Sequence, residues 1–326
     1  MLNEPSVIAL NAKTRDVLAF GRQAWQMIGR TPSHVVAVRP LRQGAITDFD
    51  VTERMIRLVL HKAGVNRFNR PRVVICVPSA ITAVEQRAVQ EAARRAGAAE
   101  VSLLEQPVAA AIGSGLPINE PVGNLVIDIG GGTSETALIS LGGTVALEAV
   151  RIGSFDFDAA IQAYIRRGYG IAVGERTAEQ VKIALGSADV SSADTVAEVR
   201  GRELTTGKPR TVDLTSREVR EAIAEPLDSI LASVLDCIAL APPELAHDLI
   251  VRGIHLVGGG SLLRDLDVRL AHEVDVPVYR VTEPLETVVL GAGRCVENYN
   301  ELQSMFIESR SSQNRESSTS RPTRRR

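Results

Sequence analysis

The sequence has few aromatic residues and few cysteines, and it lacks a long apolar run. Aromatic side chains make up 3% of its 326 residues, too few for the stacking platforms that bind single-stranded nucleic acid. Three separated cysteines, Cys76, Cys237 and Cys295, match neither a disulfide framework nor a metal-ligand spacing. We therefore expect the reducing cytosol as the compartment. No apolar run approaches the roughly twenty residues of a membrane-spanning helix, and the amino terminus lacks the basic and apolar regions of a signal peptide.

The remaining composition is that of an ordinary globular protein. With 44% hydrophobic and 23% charged residues, the chain is large enough for two domains. Its net charge is −2, but residues 309–326 hold six arginines against Glu316 alone, so this segment carries +5 and the rest −7. Because the segment is rich in Ser, Arg and Pro, we expect a disordered tail. A solvated end is a simpler interpretation of it than contact with an anionic membrane or nucleic acid.

Strand patterns and helix patterns alternate along the chain, which indicates α/β architecture. Thr82 with Glu85 and Thr215 with Glu218 form capping boxes, and each predicts the start of a helix. Another helical pattern begins at Thr52.

The stretch most typical of a phosphate site is LVIDIGGGTSE, residues 125–135. An unalternating apolar strand ends close to Asp128, and three glycines follow whose backbone amides can approach an anion. A second strand comes next, and a hairpin turn is predicted at Gly142-Gly143. Because strands rather than a helix follow the triplet, a Rossmann fingerprint or a Walker loop is excluded. A plain hairpin loop remains the alternative at this point.

A second glycine triplet lies in the other half of the chain. An apolar run at residues 254–257 is followed by Gly258, Gly259 and Gly260, and a helix is predicted from Ser261. A helix amino terminus after glycines is a ready anion site. Two such triplets, one in each half, suggest two α/β halves that meet at a nucleotide.

Ten ordered strings of the sequence resemble the MreB family of bacterial actins, from about Asn3 to Leu302. They are NEPSVIA (3–9), IGRTP (28–32), RPLRQGAITDF (39–49), RVVICVP (72–78), EQPVAAAIGSGLP (105–117), DIGGGTSE (128–135), GERTAEQVK (174–182), PPEL (242–245), RGIHLVGGGSLLRDLD (252–267) and GAG (291–293).

The resemblance implies the actin/Hsp70/sugar-kinase fold, which is ribonuclease H-like, with two lobes around a nucleotide cleft. It implies a first lobe at residues 1–150 with a small subdomain at about 11–50. The second lobe would span residues 151–308, with a small subdomain at about 187–245, before the tail at 309–326.

The same resemblance implies a cytoskeletal function. The protein would bind ATP and Mg²⁺, with weak ATPase activity coupled to polymerisation. It would form homopolymers, with antiparallel double filaments as one form, at the inner face of the cytoplasmic membrane. Its partners would include the cell-wall elongation machinery, and no nucleic acid is expected.

Residue by residue, the resemblance implies a binding site and a catalytic pair. Asp128 would lie near Mg²⁺, contacting it through water, and near the attacking water, with Gln106 as the second catalytic residue. The residues implied to bind the nucleotide are Gly130, Gly131, Gly132 and Thr133 at the phosphates, Glu179 and Lys182 beside ribose and adenine, and Gly258, Gly259, Gly260 and Ser261 at adenosine. For Glu179 and Lys182, a solvated helical ion pair is the alternative.

The sequence departs from the family pattern in two places. The family's first phosphate loop, Asp-(Leu/Ile)-Gly-Thr, precedes the segment that matches NEPS, so we expect the first lobe to lack its opening strands. Either the true start lies upstream of Met1, or this is a paralogue with impaired nucleotide handling.

Gln106 stands where the family usually has glutamate; it can orient water but cannot take its proton. Glu105 is expected to point away from the site.

Membrane contact has one candidate segment, Val65-Asn66-Arg67-Phe68, where Phe68 either enters an anionic surface or packs on its own domain.

Three functional hypotheses remain besides a filament-forming ATPase. They are a nucleotide-impaired scaffold or filament-capping paralogue, a kinase of the same fold, and an Hsp70-type chaperone. The chaperone would need a substrate-binding domain and the kinase an inserted substrate site, and neither is recognised in the sequence.

Overall fold

The computed structural model describes residues 1–66, 69–190 and 194–307, and the chain is mixed α/β, as predicted. Arg67, Phe68 and the Arg-rich tail lie outside the described residues, so the predictions made for them stay predictions. Within the described ranges, no helix has the length and apolar character needed to cross a membrane.

The amino-terminal third contains short strands and four helices. Its elements are β1 (Ile8–Asn11), β2 (Val17–Phe20), α1 (Arg22–Met27), β3 (Val35–Val38), β4 (Leu41–Arg42), β5 (Ala45–Ile46), α2 (Phe49–Lys62), β6 (Arg72–Val77), α3 (Ala83–Ala96), β7 (Glu100–Glu105) and α4 (Gln106–Gly113).

The rest of the chain contains the largest sheet and the longest helix. Its elements are β8 (Asn124–Ile129), β9 (Ser134–Ser140), β10 (Gly143–Val150), α5 (Ser154–Tyr169), β11 (Ile171–Ala172), α6 (Glu175–Leu185), β12 (Val196–Glu203), β13 (Pro209–Thr215), α7 (Ser216–Ala239), α8 (Pro243–Arg252), β14 (Ile254–Val257), a 3-10 turn (Gly259–Leu262), α9 (Leu266–Val274), β15 (Val278–Arg280), α10 (Thr287–Glu297) and a second 3-10 turn (Gln303–Met305).

Side-chain caps define several helix starts. Both predicted capping boxes are present: Thr82 accepts from the Glu85 amide and Thr215 from the Glu218 amide, each at 3.2 Å. The prediction for α2 was wrong at its start. Asp48 accepts a hydrogen bond from the Val51 amide at 3.1 Å, so the helix begins before Thr52.

The central sheet has the strand order β10-β9-β8-β14-β15. Strands β8 and β14 are parallel neighbours with Asp128 opposite Val257, so their carboxyl ends lie at the same edge. The sheet thus joins residues 124–150 to residues 254–280, and residue 150 is not a sheet boundary. Its strands and helices α5–α7 bury one continuous apolar core, which includes Leu125, Ile127, Phe157 and Ile223.

The described residues form four smaller sheets besides the central one: β2-β1-β3, β11-β12-β13, β4-β5 and β6-β7. Strands β6 and β7 are parallel, and α4 and α10 pack close to them. In the part of the chain that the structure describes, β6 pairs with β7 alone. The predicted lack of opening strands in the first lobe stays a prediction.

Two local predictions about glycines were wrong in detail. The hairpin between β9 and β10 turns at Leu141 and Gly142, with φ of 50° and 71°, while Gly143 already belongs to β10. No helix starts at Ser261. This residue lies in the short 3-10 turn, and α9 begins only at Leu266, because Asp265 adopts a left-handed conformation with φ 57° and interrupts the run.

Candidate functional site

The structure brings the two glycine triplets together at one edge of the central sheet. A methyl group added to Gly258 would lie 2.4 Å from Asp128 Oδ1, and one added to Gly260 would lie 2.2 Å from Ile129 Cγ2. Gly258 also has φ +82°. A larger residue at either glycine would separate β8 from the chain after β14, so the close approach itself requires glycine.

The first triplet forms a tight loop against the amino terminus of α5. The Gly130 amide donates to Thr133 O at 2.8 Å, and the Ser154 and Phe155 amides donate to the carbonyls of Gly130 and Gly131. These bonds use the carbonyl groups of the loop. Among the described residues, no hydrogen bond outside the strand ladders engages the amides of Gly131 and Gly132. Successive backbone N–H groups of this kind form an anion-binding concavity.

Asp128 is the buried acidic group beside this loop. It is 6% exposed, and burial raises the pKa of its carboxyl to about 6. No ion pair or hydrogen bond of the described residues involves this carboxyl group. A bound cation would replace its lost hydration and favour the ionised form.

Glu135, to which the sequence analysis assigned no role, is a second buried carboxyl group. It lies opposite Asp128 in the β8–β9 ladder and is 1% exposed. Its oxygens accept from the Ser79 amide at 3.0 and 3.2 Å and from the Ser79 hydroxyl at 3.1 Å. Burial, together with the nearby charge of Asp128, raises the pKa of Glu135 to about 7. The available signal was a single charged residue inside a strand whose other residues are uncharged.

Lys182 is not in a solvated helical pair with Glu179. Its Nζ lies 2.9 Å from Asp158 Oδ1 and donates to Ser154 Oγ and to Ser154 O at 2.6 and 3.0 Å. Burial raises the pKa of Asp158 to about 6, although Lys182 opposes the rise. Lys182 thus holds the first turn of α5, which carries the glycine loop, while Glu179 remains half-buried on α6.

Gln106 is the first residue of α4 and is half-buried. It follows Glu105, whose Oε2 lies 3.5 Å from Thr144 Oγ1 on β10. No hydrogen bond of the described residues joins Gln106 to Asp128. The Gln106 side-chain amide likewise makes no hydrogen bond to the glycine loop among the described residues.

The second triplet is built differently from the first. Gly259 and Gly260 lie inside the 3-10 turn. Ser261 is fully buried, and its hydroxyl donates to Gly258 O at 2.6 Å. The Ser261 hydroxyl therefore stabilises the turn and faces inward.

The tip of the β4–β5 hairpin forms a further wall, which sequence reasoning missed. A methyl group added to Gly132 would lie 2.8 Å from the Gln43 amide, and one added to Gly44 would lie 3.0 Å from Thr133 Cγ2. A cavity of about 20 Å³, lined in part by Gln43, Thr133 and Glu135, remains beneath the tip. It has room for about one water molecule. Nothing local in the hairpin sequence indicates this contact.

This arrangement suits a phosphate and a cation together better than a cation alone. The described residues contain no group of three or more His, Cys, Asp or Glu side chains that could hold a metal ion. Mg²⁺, however, is commonly bound by one or two carboxylates plus the phosphates of a substrate. Asp128 beside an amide-lined loop fits that donor set.

The family model described as MreB/Mbl protein matches residues 1–304. The cell shape-determining protein MreB of Escherichia coli K12 is 48% identical over 303 residues, which cover 91% of this chain and 87% of that protein. Mbl of Bacillus subtilis is 43% identical over 303 residues, covering 93% and 91%.

Several solved structures also resemble this chain. MreB5 of Spiroplasma citri bound to ADP superposes with a TM-score of 0.87 at 32% identity, covering 91% of this chain and 90% of that one. The same protein has also been solved with AMPPNP. The MamK double helical filament has a TM-score of 0.76 at 20% identity over 90% of this chain and 91% of that one, which shows likeness of fold alone.

Proposed function

This chain belongs to the MreB/Mbl family, and from that premise we propose that it is an actin-like, cell-shape-determining protein that binds a nucleoside triphosphate and polymerises with copies of itself. The observation that carries the proposal is the meeting of the two glycine triplets at one sheet edge, beside the buried carboxyl group of Asp128. The names of the relatives support the cellular role, and the ligands of the Spiroplasma structures support nucleotide binding.

The nucleotide is ATP, with Mg²⁺ at its phosphates. We assign the phosphates to the amides of the loop Gly130, Gly131, Gly132 and Thr133, and the cation to the Asp128 side through water. The bound cation would supply charge neutralisation to the phosphates. Glu179 and Lys182 on α6 border the sugar and base, with Lys182 acting through Ser154, and Gly258, Gly259, Gly260 and Ser261 shape the opposite wall.

Hydrolysis in this site is slow. Phosphoryl transfer to water needs a positioned nucleophile and stabilised charge. The Gln106 amide orients a water molecule by hydrogen bonding, but it has no basic group to accept the proton. The protein is therefore a weak ATPase whose turnover depends on assembly.

The finer family properties are part of the same proposal. The protein lies in the cytoplasm at the inner face of the cell membrane, where its homopolymers, including antiparallel double filaments, act with the cell-wall elongation machinery. The chain forms two lobes around the cleft. Because β8–β10 share a sheet and a core with the later elements, we place the boundary near residue 123 instead of residue 150.

A nucleotide-impaired scaffold or filament-capping protein is the second candidate. One feature favours it: the Gln106 side chain cannot accept a proton from an attacking water. Such a protein would assemble without phosphate release.

The test compares two glycine substitutions. Gly132→Ala would place a methyl group 2.8 Å from the Gln43 amide and intrude on the amide-lined loop, whereas Gly168→Ala, in α5, meets nothing within 4 Å. We expect Gly132→Ala to lose ATP binding and ATP-dependent sedimentation, while Gly168→Ala keeps both.

Phosphate release, measured in the same samples, separates the two candidates. ATP-dependent filaments with slow release support the ATPase, and filaments that need no ATP and release no phosphate support the scaffold. A protein that stays monomeric with every nucleotide and transfers phosphate to a small acceptor would contradict both.

A further inference from the structure

Five side chains connect the two proposed lobes, and we call them the interlobe clasp. Trp25 on α1 and Arg39 after β3 belong to the amino-terminal side. Phe155 on α5 and Glu175 and Arg176 on α6 belong to the other side. The clasp therefore joins parts of the chain that are more than one hundred residues apart.

Arg176 makes the first half of the clasp. Its guanidinium carbon lies 4.3 Å from the centroid of the Trp25 ring, and its Nη1 donates to Gln26 O at 3.2 Å. A planar guanidinium over an indole face is a favourable cation–π geometry. One side chain of α6 thus makes two contacts with α1.

Arg39 makes the second half from the opposite side. Its guanidinium carbon lies 4.6 Å from the centroid of the Phe155 ring, and its Nη2 is 3.4 Å from Glu175 Oε2. The Phe155 ring in turn covers the first glycine triplet, since a methyl group on Gly131 would lie 2.7 Å from it. Through Phe155, the clasp is therefore in direct contact with the proposed phosphate loop.

The clasp also shares a helix with the proposed base and sugar contacts. Glu175 and Arg176 form the first turn of α6, and Glu179 and Lys182 follow one and two turns later. Residues three and four apart lie on one helix face. A displacement of α6 that parts Arg176 from Trp25 would therefore move Glu179 with it.

The closed clasp is weakly held. Arg176 Nε is buried without a hydrogen-bond partner, which offsets part of the gain from the stacking on Trp25 and the bond to Gln26 O. The Arg39–Glu175 pair is long, and half of the Glu175 side chain is exposed. A cavity of about 210 Å³ lined by Arg39, Thr47 and Glu175 borders it. Opening would rehydrate the guanidinium group without disturbing an apolar core.

We propose that the interlobe clasp gates nucleotide exchange: parting Arg176 from Trp25 opens the cleft mouth, and closing it retains the nucleotide. The proposal rests on the nucleotide binding proposed above. Arg176 is a positioning residue, because it acts through α6 and α1 and touches no reacting atom.

The test uses the full chain and the release of a ribose-labelled fluorescent ATP analogue chased by excess ATP. Arg176→Ala should release the analogue about tenfold faster, the effect of losing one stacked and hydrogen-bonded guanidinium. Its association should also be faster, so that the Kd changes less than either rate. Arg176→Lys, which keeps the charge without the planar group, should be intermediate. Arg166→Ala, an exposed arginine on α5, is the matched control and should match the wild type.

Trp25 provides an independent readout because it is the single tryptophan of the chain. Without nucleotide, its emission should shift to the red in Arg176→Ala and not in Arg166→Ala. A wild-type protein that binds the analogue and releases it at the same rate as Arg176→Ala would overturn the clasp alone. A wild-type protein that binds no analogue would overturn the proposed nucleotide function and, with it, the exchange role.

Discussion

Replacing Glu135 with glutamine should make the protein more stable at alkaline pH than the wild type. Glu135 is 1% exposed, and its partners, the Ser79 amide and hydroxyl, carry no charge. The glutamine carbonyl can keep a hydrogen bond from the Ser79 amide, and its NH₂ can donate to the Ser79 hydroxyl. The substitution therefore removes a buried charge while it retains the link between β9 and the turn after β6.

The size of the effect follows from the pKa shift. Burial raises the pKa of Glu135 from 4.5 to about 7, so the folded protein holds a proton that the unfolded chain releases. The stability from this group is complete below pH 4.5 and is lost as the pH rises through 7. At 1.36 kcal/mol per pH unit, the loss reaches about 3 kcal/mol at pH 8. Glutamine does not titrate, so the variant escapes this loss.

Urea unfolding at pH 5 and pH 8 measures the difference. The free energies of unfolding of Glu135→Gln and the wild type should be similar at pH 5, and the variant should be the more stable protein at pH 8. Glu198→Gln is the control, because Glu198 lies on β12 with 66% of its side chain exposed and should show no such change. A variant that is less stable than the wild type by the same amount at both pH values would refute the reasoning.

Three further predictions concern the site and the helices. Asp128→Asn removes the acidic group at the first triplet, and we expect it to abolish the Mg²⁺ dependence of ATP binding, measured by titration calorimetry; unchanged Mg²⁺ dependence would place the cation elsewhere. Thr215→Ala removes the acceptor for the Glu218 amide and should lower stability to urea by about 1 kcal/mol, and an unaltered midpoint would mean that the cap contributes nothing. Gly168→Ala adds a methyl group in open space within α5 and should raise the melting temperature, through a gain of up to about 1 kcal/mol; a fall would show that the helix is distorted there.

Local features of this protein were predictable because local chemistry decides them. A capping box needs only four consecutive residues, so Thr82 with Glu85 and Thr215 with Glu218 located two helix starts. An unalternating β-branched run is sufficient to predict β8. The two glycine triplets after apolar strands, together with the ordered family motifs, were enough to predict the α/β fold and the family.

Contacts between distant segments were decided only by the tertiary structure. Lys182 could have paired with Glu179 on its own helix, but the folded chain places Asp158 2.9 Å away in a buried site, and a buried charge must be paired. Glu135 is buried within the folded sheet, and its hydrogen-bond partner Ser79 lies more than fifty residues away in the chain. The contact between the hairpin tip at Gln43 and Gly132 also joins segments that are far apart in the chain.

The sequence by itself determined where strands, caps and glycines stand, because those depend on the backbone preferences of neighbouring residues. Only the tertiary structure decided which of these groups meet. The parallel pairing of β8 with β14 sets the two glycine triplets side by side, and the docking of α6 against α1 brings Arg176 onto Trp25. Desolvation and pairing of charges depend on which segments pack together, and neither can be deduced from residue spacing along the chain.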